Sequence, residues 1–337
     1  MWVNNYILHQ EMDFRTTIRL ADNMGIMHHS DRFMMLGSCF SDNIGGKMRQ
    51  AMINVEVNPF GTLYNPLSIA ASVQRIIDAE PERGIDLFQG SGVWNSYNFH
   101  SRYSLPDKDA TLTLMNSQIA KAHQHLKTCH TLVLTLGTAV VYRLKETGQV
   151  VANCHKVPQY HFTRRMASVE EITEALTAMV ERVHEFNPSL RILFTVSPIR
   201  HIADGLEVNS LSKSVLRVAI AGVTRVFSSF TSYFPAYEIV MDDLRDYRFY
   251  AADMVHPSEV AISYIWQSFQ AAYFDDASTQ AIARCERVAK RLSHRPMSAN
   301  REMAERFLAD TKAVVANLVK EYPYIASIKE INDLISE

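Results

Sequence analysis

The 337-residue chain has 34 basic and 36 acidic residues, a net charge of −2, and 47% hydrophobic content. That much apolar material supports a sizeable core and excludes a disordered chain, and the charge balance lacks the basic footprint of a nucleic-acid binder. No apolar run approaches the ~18 residues of a membrane span, so neither nucleic acid nor membrane is an expected partner.

Taken in chain order, Phe33–Leu36 is a short apolar run and the first strand candidate, followed by a helix over roughly Asp42–Met52. Ile53–Val57 is the second strand candidate. Pro66–Ala79 then sets Leu67, Ala70, Ala71, Val73, Ile76 and Ile77 near one helical face. Gly84–Asp109 is a long connection rich in Gly, Ser and aromatics (Phe88, Trp94, Tyr97, Phe99, Tyr103). Thr131–Leu136 is the third strand candidate, and Val141–Arg165 reads as a hairpin turning at Thr147-Gly148. The helix Glu170–Phe186 starts after Ser168, an N-cap residue with Glu171 in the capping-box position. Leu190–Val196, helix Asn209–Phe227, strand Tyr237–Met241 and helix Pro257–Tyr273 complete the alternation, the last opening with proline in its first turn. Beyond Asp276 the pattern is two helices, Ser278–Leu292 and Ala299–Val319.

Strands alternating with helices imply an α/β fold: a mainly parallel five-stranded sheet between helical layers, wound as in flavodoxin, with ligands at the carboxyl ends of the strands. Residues 1–275 are expected to form that domain and 276–337 a helical extension that packs on it or offers a homo-oligomer face. The cysteines Cys39, Cys129, Cys154 and Cys285 lack CxxC spacing and read as free thiols in a reducing compartment. Met1–Tyr6 has no basic region leading into an apolar one, so a cytoplasmic protein without a signal peptide is expected. Met12-Asp13-Phe14-Arg15-Thr16 would make an alternative start.

Chemistry concentrates in two short strings, Leu36-Gly37-Ser38-Cys39-Phe40 and Asp253-Met254-Val255-His256-Pro257. Ser38 lies between a strand and a helix, where a hydroxyl is exposed and the helix N-terminus favours an oxyanion; its alternative role is a helix cap. Asp253 and His256, three residues apart before a helix, suit a histidine base and the carboxylate that orients it. The Ser38 N–H and Gly61 are candidate oxyanion donors, with a third expected at Gly137-Thr138. Cys39 competes with Ser38, because adjacent residues leaving a strand face opposite sides and only one reaches the rim. His100, His155, Lys156, Arg164, Arg200 and His201 are candidate substrate contacts for an anionic or polyhydroxylated ligand.

The strings Gly37-Ser38-Cys39-Phe40, Asn58-Pro59-Phe60-Gly61-Thr62-Leu63-Tyr64-Asn65-Pro66, Thr135-Leu136-Gly137-Thr138, Ser197-Pro198-Ile199-Arg200-His201 and Asp253-x-x-His256-Pro257 resemble the GSCFA-domain family. Its members are similar to SGNH/GDSL hydrolases. The resemblance covers residues 14–273 and implies a three-layer α/β/α SGNH-hydrolase fold and ester hydrolysis on an acylated carbohydrate. It favours Ser38 over Cys39 as nucleophile and maps Gly61 as oxyanion donor and Asp253 and His256 as the remaining triad. Two positions depart from the SGNH pattern. Leu36 and Gly37 precede Ser38 where Gly-Asp would stand, and Ala139 replaces the usual oxyanion asparagine, leaving Thr138, Asn58 or His155 to donate.

The leading expectation is a serine esterase with Ser38 as nucleophile, needing no cofactor and no metal, and acting on a small-molecule or carbohydrate ester. Acyl transfer to a sugar by the same residues is the alternative, as is a catalytically weak carbohydrate-binding module. Metal-dependent phosphoester hydrolysis by Asp253, His256 and His201 lacks a ligand spacing.

Overall fold

A computed structural model describes residues 16–20, 25–293, 301–328 and 331. The sheet strands are β1 (Arg32–Gly37), β2 (Asn54–Val57), β5 (Thr131–Leu136), β9 (Arg191–Val196) and β10 (Thr231–Tyr233). They are all parallel and lie in the order β2-β1-β5-β9-β10. This is the expected flavodoxin-like winding, in which the order reverses between β1 and β5 and opens a crevice at their carboxyl ends.

Two apolar layers sandwich the sheet, and strand residues alternate between them. Met34 and Leu36, Leu132 and Leu134, and Ile192 and Phe194 pack with α2 (Pro66–Asp78), α3 (Lys108–Lys127), α4 (Val169–Phe186) and α5 (Gly205–Val226). Phe33 and Met35, Val133 and Leu193 face α1 (Cys39–Gln50) and α7 (Glu259–Tyr273) on the other side. Burial of both faces explains the continuous apolar runs of β1, β5 and β9. Ser168 caps α4 through Glu171 N–H at 3.2 Å.

Two side structures decorate the sheet. The 84–109 connection holds the hairpin of β3 (Leu87–Gly90) and β4 (Val93–Ser96), while β6 (Val140–Leu144), β7 (Val150–Val151) and β8 (Phe162–Met166) form a second antiparallel sheet. The expected fifth strand Tyr237–Met241 is instead α6 (Ala236–Glu238) running into a π-helical turn at Ile239–Asp243. A five-residue apolar run cannot distinguish a buried strand from a buried turn, and Ala236, Ile239 and Val240 bury themselves against the α7 layer. The sheet edge is Thr231–Tyr233, which adds to β9. Pro257 precedes the α7 cap Ser258 rather than lying in the first turn.

Helices α8 (Asp276–Ser293) and α9 (Arg301–Glu321) meet through Cys285, Val288, Val315 and Leu318, with Met52 beneath them. The buried His29 ring ties this region to α1: its Nδ1 lies 2.8 Å from Tyr324 Oη and its Nε2 2.7 Å from the Ala51 carbonyl. The expected helix starts at Ala299 and the alternative start at Met12 fall partly or wholly outside the described residues.

Gly37, the last residue of β1, has φ +144°, and a Cβ there would lie 2.1 Å from the Thr135 carbonyl oxygen of β5. Gly37→Ala is expected to cost about 3 kcal/mol or more, from positive-φ backbone strain and the clash together. A chemical-denaturation midpoint unchanged from wild type would contradict this.

Candidate active site

Gly37 turns the chain out of β1, and Ser38 takes the N-cap position of α1. The hydroxyl of Ser38 accepts from Phe40 N–H at 3.3 Å and is buried, with the residue 1% exposed. The next side chain, Cys39, is partly buried. Cys39 Sγ lies 3.7 Å from His256 Nε2. Among the described residues the thiol contacting His256 Nε2 is therefore that of the partly buried Cys39, while the expected partner Ser38 has its hydroxyl on the Phe40 N–H.

Asp253 and His256 do converge. Asp253 Oδ2 is 2.6 Å from His256 Nδ1, while Oδ1 accepts from Val255 N–H at 2.9 Å and His256 N–H at 3.0 Å. These bonds hold the Asp253 carboxyl down at about 2, the His256 N–H first among them. Asp253 is thus ionised across any ordinary assay pH. The loop is closed by Ala251 N–H on the His256 carbonyl at 2.7 Å and contains Met254 in a left-handed conformation, φ 58°. A bulky residue there is strained, and strain of this kind persists where the surroundings fix a site.

Burial pushes the Cys39 thiol above its ordinary value, and Asp42 adds to that. The N–H groups of Cys39 and Phe40 and the ammonium of Lys213 act the other way. Burial also drops His201 to about 4, helped by Lys213 and His256, so its ring is neutral near pH 7.

The three expected oxyanion donors are already engaged. Ser38 N–H donates to the Thr135 carbonyl at 3.2 Å, Gly61 N–H to Asn58 O at 2.7 Å, and Thr138 N–H to Tyr64 O at 2.9 Å. Gly61 closes a β-turn with Pro59 at its second position and φ +81°, and its missing Cβ makes room for His100. Its glycine is explained by packing. Thr138 Oγ1 pairs with Ser212 Oγ at 3.0 Å. Two nitrogens remain buried without a hydrogen-bond partner beside the crevice, Asn58 Nδ2 and His201 Nε2. Asn58 Oδ1 accepts from Gly37 N–H at 2.9 Å, which anchors that amide two residues before Cys39. His201 Nε2 would sit 3.2 Å from a Cβ at Gly137, and its ring meets Tyr64 edge-on.

The expected substrate contacts divide. Arg200 lies beside the catalytic-loop candidate: its N–H donates to Val255 O, and its guanidinium covers Tyr250 at 4.2 Å and Tyr247 at 5.1 Å. With Asp242, Arg245 and Asp246 these residues line a cavity of about 260 Å³. His100 abuts Gly61 near the ion pair of Arg102 with Asp42. Of the others, two are committed elsewhere and one faces solvent. His155 is held on Ser96 O at 2.7 Å against Phe88, Lys156 is exposed in the β7–β8 connection, and Arg164 is bound to Asp204 and the Tyr142 hydroxyl.

A polar stripe on α5 goes unnoticed in the sequence. Asn209 accepts from His201 N–H at 2.9 Å, Ser212 accepts from Ala139 N–H at 2.7 Å, and Lys213 donates to Gly137 O at 2.6 Å and Ser197 O at 2.7 Å. Spaced at i, i+3 and i+4, they form one helix face that clamps the loops after β5 and β9. Among the described residues no group of three His, Cys, Asp or Glu is placed to hold a metal ion. No helix among them is long and apolar enough to cross a membrane.

A family model, that of the GSCFA family, matches residues 32–269. No curated protein matches the chain significantly. Among solved structures, the chain is similar to a Streptococcus pneumonia protein provisionally described as a platelet activating factor, at 11% identity, TM-score 0.36, over 71% of this chain and 83% of that one. It is also similar to the acetyl xylan esterase Est2A from the rumen bacterium Butyrivibrio proteoclasticus, at 9% identity, TM-score 0.37, over 72% of this chain and 63% of that one. The second match spans less than two thirds of the esterase, and neither likeness is close enough to bear on the chemistry.

Proposed function

The chain belongs to the GSCFA family, and from that premise we propose that it is an acyl-ester hydrolase whose nucleophile is Cys39, with His256 as the base and Asp253 as the group that orients it. The supporting observation is the chain of contacts from Cys39 Sγ through His256 to Asp253, at 3.7 Å and 2.6 Å. The ionised Asp253 favours the tautomer with Nδ1–H, leaving the Nε2 lone pair toward the thiol.

In the proposed reaction the Cys39 sulfur attacks the acyl carbon as His256 Nε2 takes the thiol proton. The tetrahedral adduct collapses, the C–O bond to the alcohol breaks, and His256 returns the proton to the leaving oxygen. A thioester on Cys39 remains. Water then attacks that carbonyl, its proton passing to His256 and on to the departing sulfur, and the free acid leaves. Because burial holds the resting thiol protonated, a base acting during attack suits this site better than a pre-formed thiolate. The developing oxyanion would lie at the α1 N-terminus, with the Cys39 N–H and the unpaired Asn58 Nδ2 as its donors.

An O-acylated carbohydrate is the proposed substrate class. The polar mouth beside His256, with Tyr247 57% exposed and Arg200 stacked on the tyrosines, fits a polyhydroxylated leaving group. The test is acetate release from an aryl acetate and from an acetylated xylo-oligosaccharide, before and after alkylation by iodoacetamide. Both activities are expected to fall in step with carbamidomethylation of Cys39, mapped by peptide mass. Full activity on fully alkylated Cys39 would reject the reading.

A further inference from the structure

Lys213 is 1% exposed, and its ammonium is held by two backbone carbonyls, Gly137 O and Ser197 O. Among the described residues no carboxylate is a partner of its charge. A buried cation satisfied only by neutral oxygens is costly. An ammonium has three donors, and carbonyls take two. The two carbonyls are the first beyond β5 and β9, on the floor of the crevice at which α1 begins. Cys39 lies within electrostatic range on that same rim.

We propose that Lys213 is a positioning residue for the reaction, its buried ammonium serving as the counter-charge to the sulfur of Cys39 when that sulfur is anionic and binding the β5 and β9 loops beneath it. The inference rests on Cys39 being the nucleophile. During deacylation the departing sulfur is the group that gains negative charge, and a fixed cation nearby lowers the barrier to its departure. The groups facing Cys39 are Asp42 on its own helix, Tyr64 before α2, Lys213 on α5 and His256 on the 251–256 loop. Those facing Lys213 are Cys39, His201 and the Tyr237 ring at 5.9 Å. Of these, only Lys213 is a cation that neither depends on histidine protonation nor is spent in a carboxylate pair. Burial draws the amine downward, and an anionic Cys39 opposes that.

The test compares wild type with Lys213→Met, full chain, by the pH dependence of iodoacetamide alkylation at Cys39. The site is read by peptide mass, since Cys154 is also partly accessible. With the variant shown folded by its circular dichroism and cooperative unfolding, the midpoint pH is expected to rise by about one unit, an approximately tenfold slower alkylation below it. A folded variant with an unchanged midpoint would overturn the inference, because a merely structural lysine leaves the thiol titration where it was. Should Lys213→Met fail to fold, the reciprocal measurement decides. In Cys39→Ala the Lys213 side-chain NMR titration is expected to move to lower pH, and an unmoved titration would overturn the proposal. Neither readout uses turnover, so an acyl group found on Cys39 with no coupling to Lys213 refutes this inference alone. Absence of acyl from Cys39 refutes the hydrolase reading instead.

Discussion

Cys39→Ala is expected to lower turnover of an aryl acetate by at least ~1,000-fold, while Ser38→Ala keeps it within a few-fold. The contrast follows from one residue of offset at the start of α1. Ser38 Oγ is buried and spent on Phe40 N–H. Its removal takes away a cap, worth about 1 kcal/mol of stability, and should show as a lower denaturation midpoint with little change in rate. Cys39 Sγ faces His256 Nε2, and without it no acyl-enzyme is expected. Cys39→Ser is the informative intermediate. A hydroxyl is a weaker nucleophile than a thiol, and in this register the serine would stand where the histidine can reach it. A low residual rate that vanishes on adding His256→Ala is the expected result. Loss of activity in Ser38→Ala with retention in Cys39→Ala would reverse the assignment.

His256→Ala should lower turnover by about 1,000-fold or more, since it removes both the base for attack and the acid for the leaving alcohol. Asp253→Asn is expected to cost ~100- to 10,000-fold through the imidazole tautomer, because an amide can present a donor to Nδ1 and leave the proton on Nε2. Asp253 also accepts the N–H groups of Val255 and His256 through Oδ1, and the asparagine oxygen can keep those bonds. The loop should therefore survive while the chemistry suffers. The pH profile sharpens this. Asp253 is depressed to about 2 in the folded protein, so any stabilisation from its ionisation is complete above the ordinary carboxyl range and is lost only as pH falls toward 2. An acid limb of activity near neutrality belongs to another group. Turnover in Asp253→Asn equal to wild type would remove Asp253 from the account.

The strands and helices of the main sheet could be read from the sequence because both faces of β1, β5 and β9 are buried, and α2 and α4 have capped, single-faced patterns. Tyr237–Met241 misled because a buried turn and a buried strand share an apolar composition, and the true edge, Thr231-Ser232-Tyr233, is short and polar. The Asp253–His256 pair was legible from its spacing taken with the strand order, and the Asp side chain does reach the N–H groups two and three residues on. The side chain that meets His256 Nε2 was not. Which of Ser38 and Cys39 faces outward depends on the turn made by Gly37 at φ +144°, and that conformation is imposed by its close approach to Thr135. Lys213 was invisible for a different reason: its partners are backbone carbonyls, which leave no signature at any position, and a lysine on an amphipathic helix ordinarily faces water. The missing asparagine at Ala139 made the oxyanion site look incomplete. The structure puts Ala139 in the core and leaves Asn58 Nδ2 and His201 Nε2 unpaired nearby.

The central claim, that Cys39 carries the acyl group, is tested most directly by quenching the enzyme in acid during turnover of an aryl acetate and mapping the adduct by peptide mass spectrometry. Peptides spanning Gly37–Met48 should gain one acetyl group on Cys39 that is released by hydroxylamine at neutral pH, as a thioester is, and the adduct should be absent from Cys39→Ala. A hydroxylamine-resistant acetyl group on Ser38, still formed in Cys39→Ala, would contradict the account.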